Sequence, residues 1–176
     1  MRARHITAPA ALAPLVAAAL VACGGEEAGF VGTSGLYRTA TGAPGMTVQT
    51  CGQELAEIRV TEGPATEEAD TSEERMIARI IPTKPMSGLI DIDLGSIDPL
   101  LFDVEGDPLS PVPEGTTVVF DPYLDNGQST IPHASATVED IAALDHGEYI
   151  TRPGVSGDAY PANEEGRAYF ENYCER

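Results

Sequence analysis

The sequence predicts an all-β fold, an antiparallel β-sandwich with a short C-terminal helix. Short runs of β-prone residues recur along the chain, and turn-forming Gly, Pro, Asp or Asn fill most of the gaps between them. Two runs alternate, with Ile58 and Val60 set among polar residues and Ile90 and Ile92 set between aspartates. Such alternation predicts strands with one face in a core and one in water. Repeated short strands favour a sandwich over alternating β and α units.

Nine strands are predicted, at 36–41, 46–51, 55–61, 76–81, 89–94, 100–104, 116–120, 134–138 and 148–151. Thr137 and Asp140 have the spacing of a capping box that opens one helical turn through Leu144, with Gly147 as its stop. The best helix candidate is 161–176, with Asn163 as its cap. The acid-rich stretch 62–74 is predicted to be a solvated loop.

The strongly acidic composition excludes one class of partner. From Cys23 onward the chain has eight basic and 28 acidic residues, a net charge of −20. A surface of this sign repels phosphate backbones, so nucleic acid is not expected as a partner. The length of 176 residues fits one domain, or one modest domain with a tail.

The first 23 residues have the parts of an export signal. A basic head with Arg2 and Arg4 precedes an apolar run at 8–22, which is too short and too Pro-broken for a membrane-spanning helix. The run ends in Leu20-Val21-Ala22-Cys23, which resembles the lipobox of bacterial lipoproteins. The resemblance implies cleavage before Cys23, lipidation of its thiol and a firm membrane anchor. The alternative is an ordinary cleaved signal peptide.

The same resemblance implies a location in the cell envelope, outside the cytoplasm. By the sorting habit of bacterial lipoproteins, Gly24 after the cysteine favours the outer over the inner membrane. The expected organisation is a signal peptide at 1–22, a lipidated N-terminus and flexible tether at 23–35, a β-sandwich at 36–160 and a tail or helix at 161–176.

Two cysteines remain if Cys23 carries lipid. Cys51 and Cys174 then form an even pair in an oxidising compartment, where a disulfide is expected. The alternatives are a buried free thiol and, for Cys174, a role in haem attachment.

Two turn motifs resemble the bacterial immunoglobulin-like domains of invasin-type surface proteins. Residues 103–109, DVEGDPL, and 114–120, EGTTVVF, follow their D-x-x-G-x-P-[VL] and G-x-x-V-x-F patterns. Asp103 and Gly106 are expected to make a tight turn, and Val118 and Phe120 to face one side of the next strand.

Asp145, Gly147 and Tyr149 have the spacing of a tyrosine corner, in which the phenol packs inward and its hydroxyl bonds back to the backbone. Together with the two turn motifs, this resemblance implies an immunoglobulin-like core at about 55–155. An unrelated β-sandwich with similar turns is the alternative.

The segment 166–174, GRAYFENYC, is similar to the helix that leads into the first cysteine of a c-type haem site. The defining C-x-x-C-H is missing, and no histidine follows Cys174. One alternative function is therefore the front part of a c-type cytochrome-like electron-transfer lipoprotein whose haem motif is absent from this chain. The simpler interpretation is a terminal helix whose Tyr169, Phe170 and Tyr173 cover one end of the sandwich.

The sequence contains no recognisable catalytic motif, so an enzyme is not expected. His133 and His146 are interpreted as loop and turn residues without a recognisable nucleophile beside them. Asp91 with Asp93, and Asp121 with Asp125, are the weak candidates for a Ca²⁺ site, the only cofactor considered. The alternative is a solvated acidic face.

Taken together, these patterns predict a lipid-anchored envelope protein with a non-enzymatic, immunoglobulin-like binding or structural module. Its partners would be the membrane, through the lipid, and an envelope protein or surface ligand.

Overall fold

Nine strands form two antiparallel sheets in the computed structural model of the chain, which describes residues 31–63, 75–126, 131–145, 148–151 and 164–175. The strands of this described part are β1 (Thr33–Arg38), β2 (Pro44–Gln49), β3 (Leu55–Gly63), β4 (Arg75–Pro82), β5 (Leu89–Asp93), β6 (Phe102–Gly106), β7 (Thr117–Leu124), β8 (Ala134–Thr137) and β9 (Tyr149–Ile150). Each lies at or beside one of the predicted runs.

One sheet has four strands in the order β5-β2-β1-β9, and the other has five in the order β6-β4-β3-β7-β8. Immunoglobulin-type sandwiches pair strands A, B and E in one sheet and C′, C, F and G in the other. The strands β1, β2 and β5 and the strands β4, β3, β7 and β8 have those positions, with β9 added beside β1 and β6 beside β4. The predicted all-β sandwich is therefore confirmed.

The inward faces of the two sheets share one hydrophobic core. Met46, Val48 and Ile92 come from the four-stranded sheet, and Ile58 and Phe120 from the five-stranded sheet. The alternation predicted at β3 and β5 is confirmed, because their isoleucines and Val60 are buried in this core. Val118 and Phe120 also share the inward face of β7, as predicted.

Two α-helices complete the described part. The helix α1 (Val138–Ala143) begins at the predicted capping box: the Asp140 N–H donates to Thr137 Oγ1, and the Thr137 N–H donates to Asp140 Oδ2. Its expected stop, Gly147, lies outside the described residues. The helix α2 (Glu164–Glu171) is followed by a 3-10 turn at Tyr173–Glu175, which confirms a short C-terminal helix. Asn163, its expected cap, also lies outside them.

The two ends of the sandwich carry different loops. The entry end, where β1 begins, also holds the β2–β3 turn, the β4–β5 loop and the start of β6. The far end holds the β1–β2 turn, the β6–β7 loop and the start of α1. At the entry end, the Thr50 N–H donates to the Gly88 carbonyl at 3.0 Å and the Leu55 N–H to the Met86 carbonyl at 2.9 Å. These bonds join the entry-end loops to one another.

Most strand bounds differ from the predicted ones by a few residues, and β1 differs at both ends. β1 begins at Thr33 rather than Leu36 and ends at Arg38, because the chain turns at once, with the Gly42 N–H donating to the Thr39 carbonyl. This start lies inside the segment expected to be a tether.

Leu100 is predicted to open a strand but lies in a turn before β6. The carbonyl of Asp98 accepts the N–H groups of Leu101 and Phe102, and its carboxylate accepts the N–H of Leu100 at 2.8 Å. An aspartate that bonds the backbone two residues ahead is a strong turn former, which is why the strand starts only at Phe102.

The tight turn predicted for Asp103 and Gly106 is also wrong. Both residues belong to β6, which pairs with β4 through Gly106 opposite Ala78. The turn follows at Asp107, whose carboxylate accepts the Leu109 N–H at 2.9 Å.

Candidate functional site

A disulfide joins the β2–β3 turn to the end of the chain. The sulfur atoms of Cys51 and Cys174 are 2.03 Å apart across a separation of 123 positions. The predicted pair is therefore confirmed. Cys23 lies outside the described residues, so its lipidation stays a prediction.

The disulfide fastens α2 onto the outer face of the four-stranded sheet. Phe170 is only 1% exposed, and the tip of its ring packs against Gly35 of β1. A Cβ on Gly35 would lie 2.6 Å from Phe170 Cζ, closer than side chains approach in proteins. The glycine is thus what lets the tip of the ring come so close to the strand. We call α2 and the following 3-10 turn the C-terminal strap.

Aromatic rings connect the strap to the sheet. The centroid of Phe170 is 4.9 Å from that of Tyr149 in β9, and Tyr149 is 5.4 Å from Tyr37 in β1. Tyr169 meets both Phe170 and Tyr173 edge to face. These residues were expected to cover one end of the sandwich. The structure instead places Phe170 on a sheet face, because the strap crosses β1 and β2 on their outer side.

Polar contacts fix the strap at two further points. The Nη1 of Arg167 is 2.6 Å from Asp91 Oδ2 on β5, and Asp91 Oδ1 also accepts the hydroxyl of Thr47 at 2.7 Å. Gln49 is 7% exposed; its Nε2 donates to the Phe170 carbonyl, and its Oε1 accepts the N–H of Cys51. The side-chain amide of Gln49 therefore links the strap to the disulfide turn.

The contact between the C-terminal strap and the four-stranded sheet shifts the pKa values of two of its side chains. Burial, together with the nearby charge of Asp91, raises the pKa of Tyr37 to about 12. Burial lowers the pKa of Arg167, but its bonds to Asp91 and Glu171 outweigh that effect and leave the pKa raised. The phenol of Tyr37 is therefore neutral and Arg167 charged across the ordinary pH range.

The residues of the expected tyrosine corner are only partly described. Tyr149 is 6% exposed, and its hydroxyl interacts with Arg167 of the strap. Asp145 and Glu148 are hydrogen-bonded to each other: the Asp145 N–H donates to Glu148 Oε2 at 2.8 Å. Gly147, like His146, lies outside the described residues, so the corner itself stays a prediction.

The candidate calcium ligands divide between the two sheets. Asp91 and Asp93 lie on the outer face of β5, where Asp91 bonds Arg167 and Asp93 accepts the Gly95 N–H. Asp121 lies on β7 of the other sheet, and Asp125 follows that strand. Within the described ranges, no three acidic, His or Cys side chains lie close enough to hold a metal ion.

An ion-pair network on the five-stranded sheet was not predicted from the sequence. Glu57 on β3 accepts the Nε of Arg59 at 2.7 Å and the Nε of Arg79 at 2.8 Å, and Arg79 also reaches Glu105 at 2.7 Å. The guanidinium of Arg59 lies 4.2 Å from the ring centroid of Tyr123. The only signal in the sequence was the charged alternate positions of β3, which leave the partner strands unspecified.

The Glu57 side chain is only 10% exposed, while both arginines are about 40% exposed. Burial raises the pKa of Glu57, but the hydrogen bonds and charges of Arg79 and Arg59 outweigh it and hold the pKa below its ordinary 4.5. A carboxylate with a lowered pKa stabilises the fold above its unfolded pKa, and this contribution is lost as the pH falls through the folded value.

Glu57→Gln is therefore expected to lower the free energy of unfolding by about 1–2 kcal/mol at neutral pH. In urea titrations over a pH series, the gap between wild type and variant should shrink as the pH falls below 4.5. Glu105→Gln is the matched control, because its carboxylate is 62% exposed and bonds the same Arg79. A gap for Glu57→Gln that stays constant into acid would contradict this assignment.

The helix that resembles a haem-attachment segment packs on the four-stranded sheet as part of the C-terminal strap. Its cysteine, Cys174, is bonded to Cys51, so that thiol is not free to form a thioether. His133 lies in the described segment before β8 and is half-buried.

Comparison of the chain with protein-family models, with curated proteins and with solved structures gives no match. No helix within the described residues is long and apolar enough to cross a membrane.

Proposed function

We propose that this chain is a lipid-anchored cell-envelope protein whose β-sandwich is a non-enzymatic binding or structural module outside the cytoplasm. The observation that carries the proposal is the distribution of the three cysteines. Two of them, Cys51 and Cys174, are joined, as expected in an oxidising compartment. The third, Cys23, ends the apolar leader at the position that a lipobox requires.

The sandwich also has features that suit a displayed module. The strap adds a disulfide, an ion pair and a buried aromatic ring to a domain of modest size, which favours persistence outside the cytoplasm. The two polar clusters around Glu57 and Arg167 consist of groups that bond one another, which is typical of structural networks. The partner would be an envelope protein or a surface ligand, and Gly24 favours the outer membrane.

The anchor is tested by growing cells that express the full chain with an alkyne-labelled palmitate. We expect the label to enter the wild-type protein and the protein to fractionate with membranes, because the thiol of Cys23 is the acceptor. Cys23→Ser should remove the label completely while Cys51→Ser retains it. Equal labelling of wild type and Cys23→Ser would refute the proposal.

A further inference from the structure

A leucine and a lysine are carried by two loops that are hydrogen-bonded to each other at the entry end of the sandwich. Leu100 is 81% exposed, more than the other large hydrophobic side chains found exposed in the described residues. Its carbonyl accepts the hydroxyl of Thr83 at 2.9 Å, and the Thr83 N–H donates to the Leu101 carbonyl at 2.9 Å. Lys84, the single lysine of the sequence, follows Thr83 and is also exposed.

The turn that carries Leu100 is held in place by hydrogen bonds. Asp98 accepts three backbone N–H groups, one with its carboxylate and two with its carbonyl, and the bonds to Thr83 tie the turn to the β4–β5 loop. Exposing an apolar side chain on such a fixed turn brings no gain in folding, because the hydrophobic effect rewards burial. A contact outside the domain would bury it.

The entry end is also the end nearest Cys23 along the chain. Val31, the first described residue, lies two positions before β1 and eight positions after Cys23. Eight residues can span at most about 27 Å when fully extended. A lipid on Cys23 would therefore keep the entry end close to the bilayer surface, and a short tether of this kind makes even a weak second contact effective.

Acidic charge is weighted toward the far end. Its loops and α1 carry Asp107, Glu114, Glu139, Asp140 and Asp145, against Arg38 and Arg75 at strand ends there, and the segment that links β3 to β4 has five more acids in its sequence. The described entry-end loops carry Glu54, Asp98, Asp125 and Glu175 together with Lys84, and the sequence between Cys23 and Val31 adds two more acids. An anionic bilayer would therefore repel the far end more strongly than the entry end.

We propose that Leu100 and Lys84 form a phospholipid-contact corner that orients the anchored sandwich with its entry end on the bilayer and its far end outward. Leu100 would enter the boundary between headgroups and acyl chains, and the Lys84 ammonium would be attracted to headgroups with a net negative charge. The inference rests on the proposed lipid anchor, because the corner alone is too small to bind membranes.

The chain contains no tryptophan, so an introduced indole is a unique probe. Leu100→Trp places it in the corner, and Val138→Trp is the matched control, since Val138 is 49% exposed and lies at the far end. Each acylated full-length variant is incorporated into vesicles of phosphatidylcholine and phosphatidylglycerol, with and without brominated acyl chains. We expect a blue shift and quenching of the emission for Leu100→Trp and neither change for Val138→Trp.

The possible outcomes distinguish a failure of the proposed lipid anchor from a failure of the proposed membrane contact of Leu100 and Lys84. Mass spectrometry of each sample first establishes acylation, and a protein without acyl groups overturns the proposed function together with this inference. An acylated Leu100→Trp protein whose emission is not quenched overturns the corner and leaves the anchor intact. Equal quenching at positions 100 and 138 overturns the orientation.

The role of Lys84 has a separate readout. Lys84→Gln is added to Leu100→Trp. On anionic vesicles, the ratio of molecules whose entry end contacts the bilayer to molecules whose entry end does not should fall about fivefold. The loss should vanish on pure phosphatidylcholine. A quenching signal that is the same with and without Lys84 on anionic vesicles would remove the lysine from the proposal.

Discussion

Phe170→Ala is expected to lower the free energy of unfolding by about 3–5 kcal/mol, the largest effect of any single change considered for this chain. The ring is 1% exposed and packs against Tyr149, Tyr169 and the backbone of Gly35. Truncation leaves a cavity beneath the strap that the disulfide and the Arg167–Asp91 pair keep from closing. Urea unfolding followed by circular dichroism measures the loss.

Two further variants make the test specific. Glu171→Ala changes the next residue of α2, whose carboxylate is 53% exposed, and should cost less than about 0.5 kcal/mol. Gly35→Ala should destabilise the wild type, because its methyl would meet the Phe170 ring, and should cost clearly less in the Phe170→Ala background. Additive losses for this pair would show that the ring does not lie on Gly35.

Removing the disulfide is expected to have the second-largest effect. The double variant Cys51→Ser, Cys174→Ser should lose about 2–4 kcal/mol, because the crosslink closes a long loop and restricts the unfolded chain. It should also release the C-terminal strap from the β2–β3 turn, because the covalent link between them is gone, while the Gln49 bond and the Arg167–Asp91 pair still join the strap to β2 and β5. Urea midpoints and limited proteolysis of the C-terminus report the two effects.

A reductant provides the internal control. It should lower the urea midpoint of the wild-type protein to that of the double variant and leave the double variant unchanged. If the reductant has no effect on the wild type under unfolding conditions, the two cysteines are not joined in the folded protein.

The strands were predictable because their signal is local. Ile58 and Val60 in β3, and Ile90 and Ile92 in β5, alternate with polar residues, and the same period of two governs burial in a half-buried strand. The capping box at Thr137 was equally local, as its two hydrogen bonds span three residues. The turn at Leu100 was missed because the β-prone run there hides the bonding of Asp98 to the residues after it.

The strap could be predicted only in part. The pairing of Cys51 with Cys174 followed from the parity of the cysteines once Cys23 was set aside for lipid. The face that α2 covers did not follow, because it depends on contacts between distant positions such as Arg167 with Asp91, 76 residues apart. The role of Gly35 could not be predicted either, because the sequence does not distinguish a glycine that makes room for an aromatic ring from a glycine in a turn.

The same limit applies to the Glu57 network. The charges of β3 are visible in the sequence, but the position of Arg79 opposite Arg59 depends on the register of β4, which shifts between Val60 and Thr61. A bulge of this kind follows from the packing of the whole sheet and has no local sequence signal.

The distribution of the cysteines is tested most directly by mass mapping of peptides from the mature protein, isolated from the envelope and digested without reduction. The account predicts one crosslinked pair that contains Cys51 and Cys174, and an N-terminal peptide that begins at Cys23 and carries acyl groups. A disulfide that includes Cys23, or an N-terminal peptide free of lipid, would contradict it.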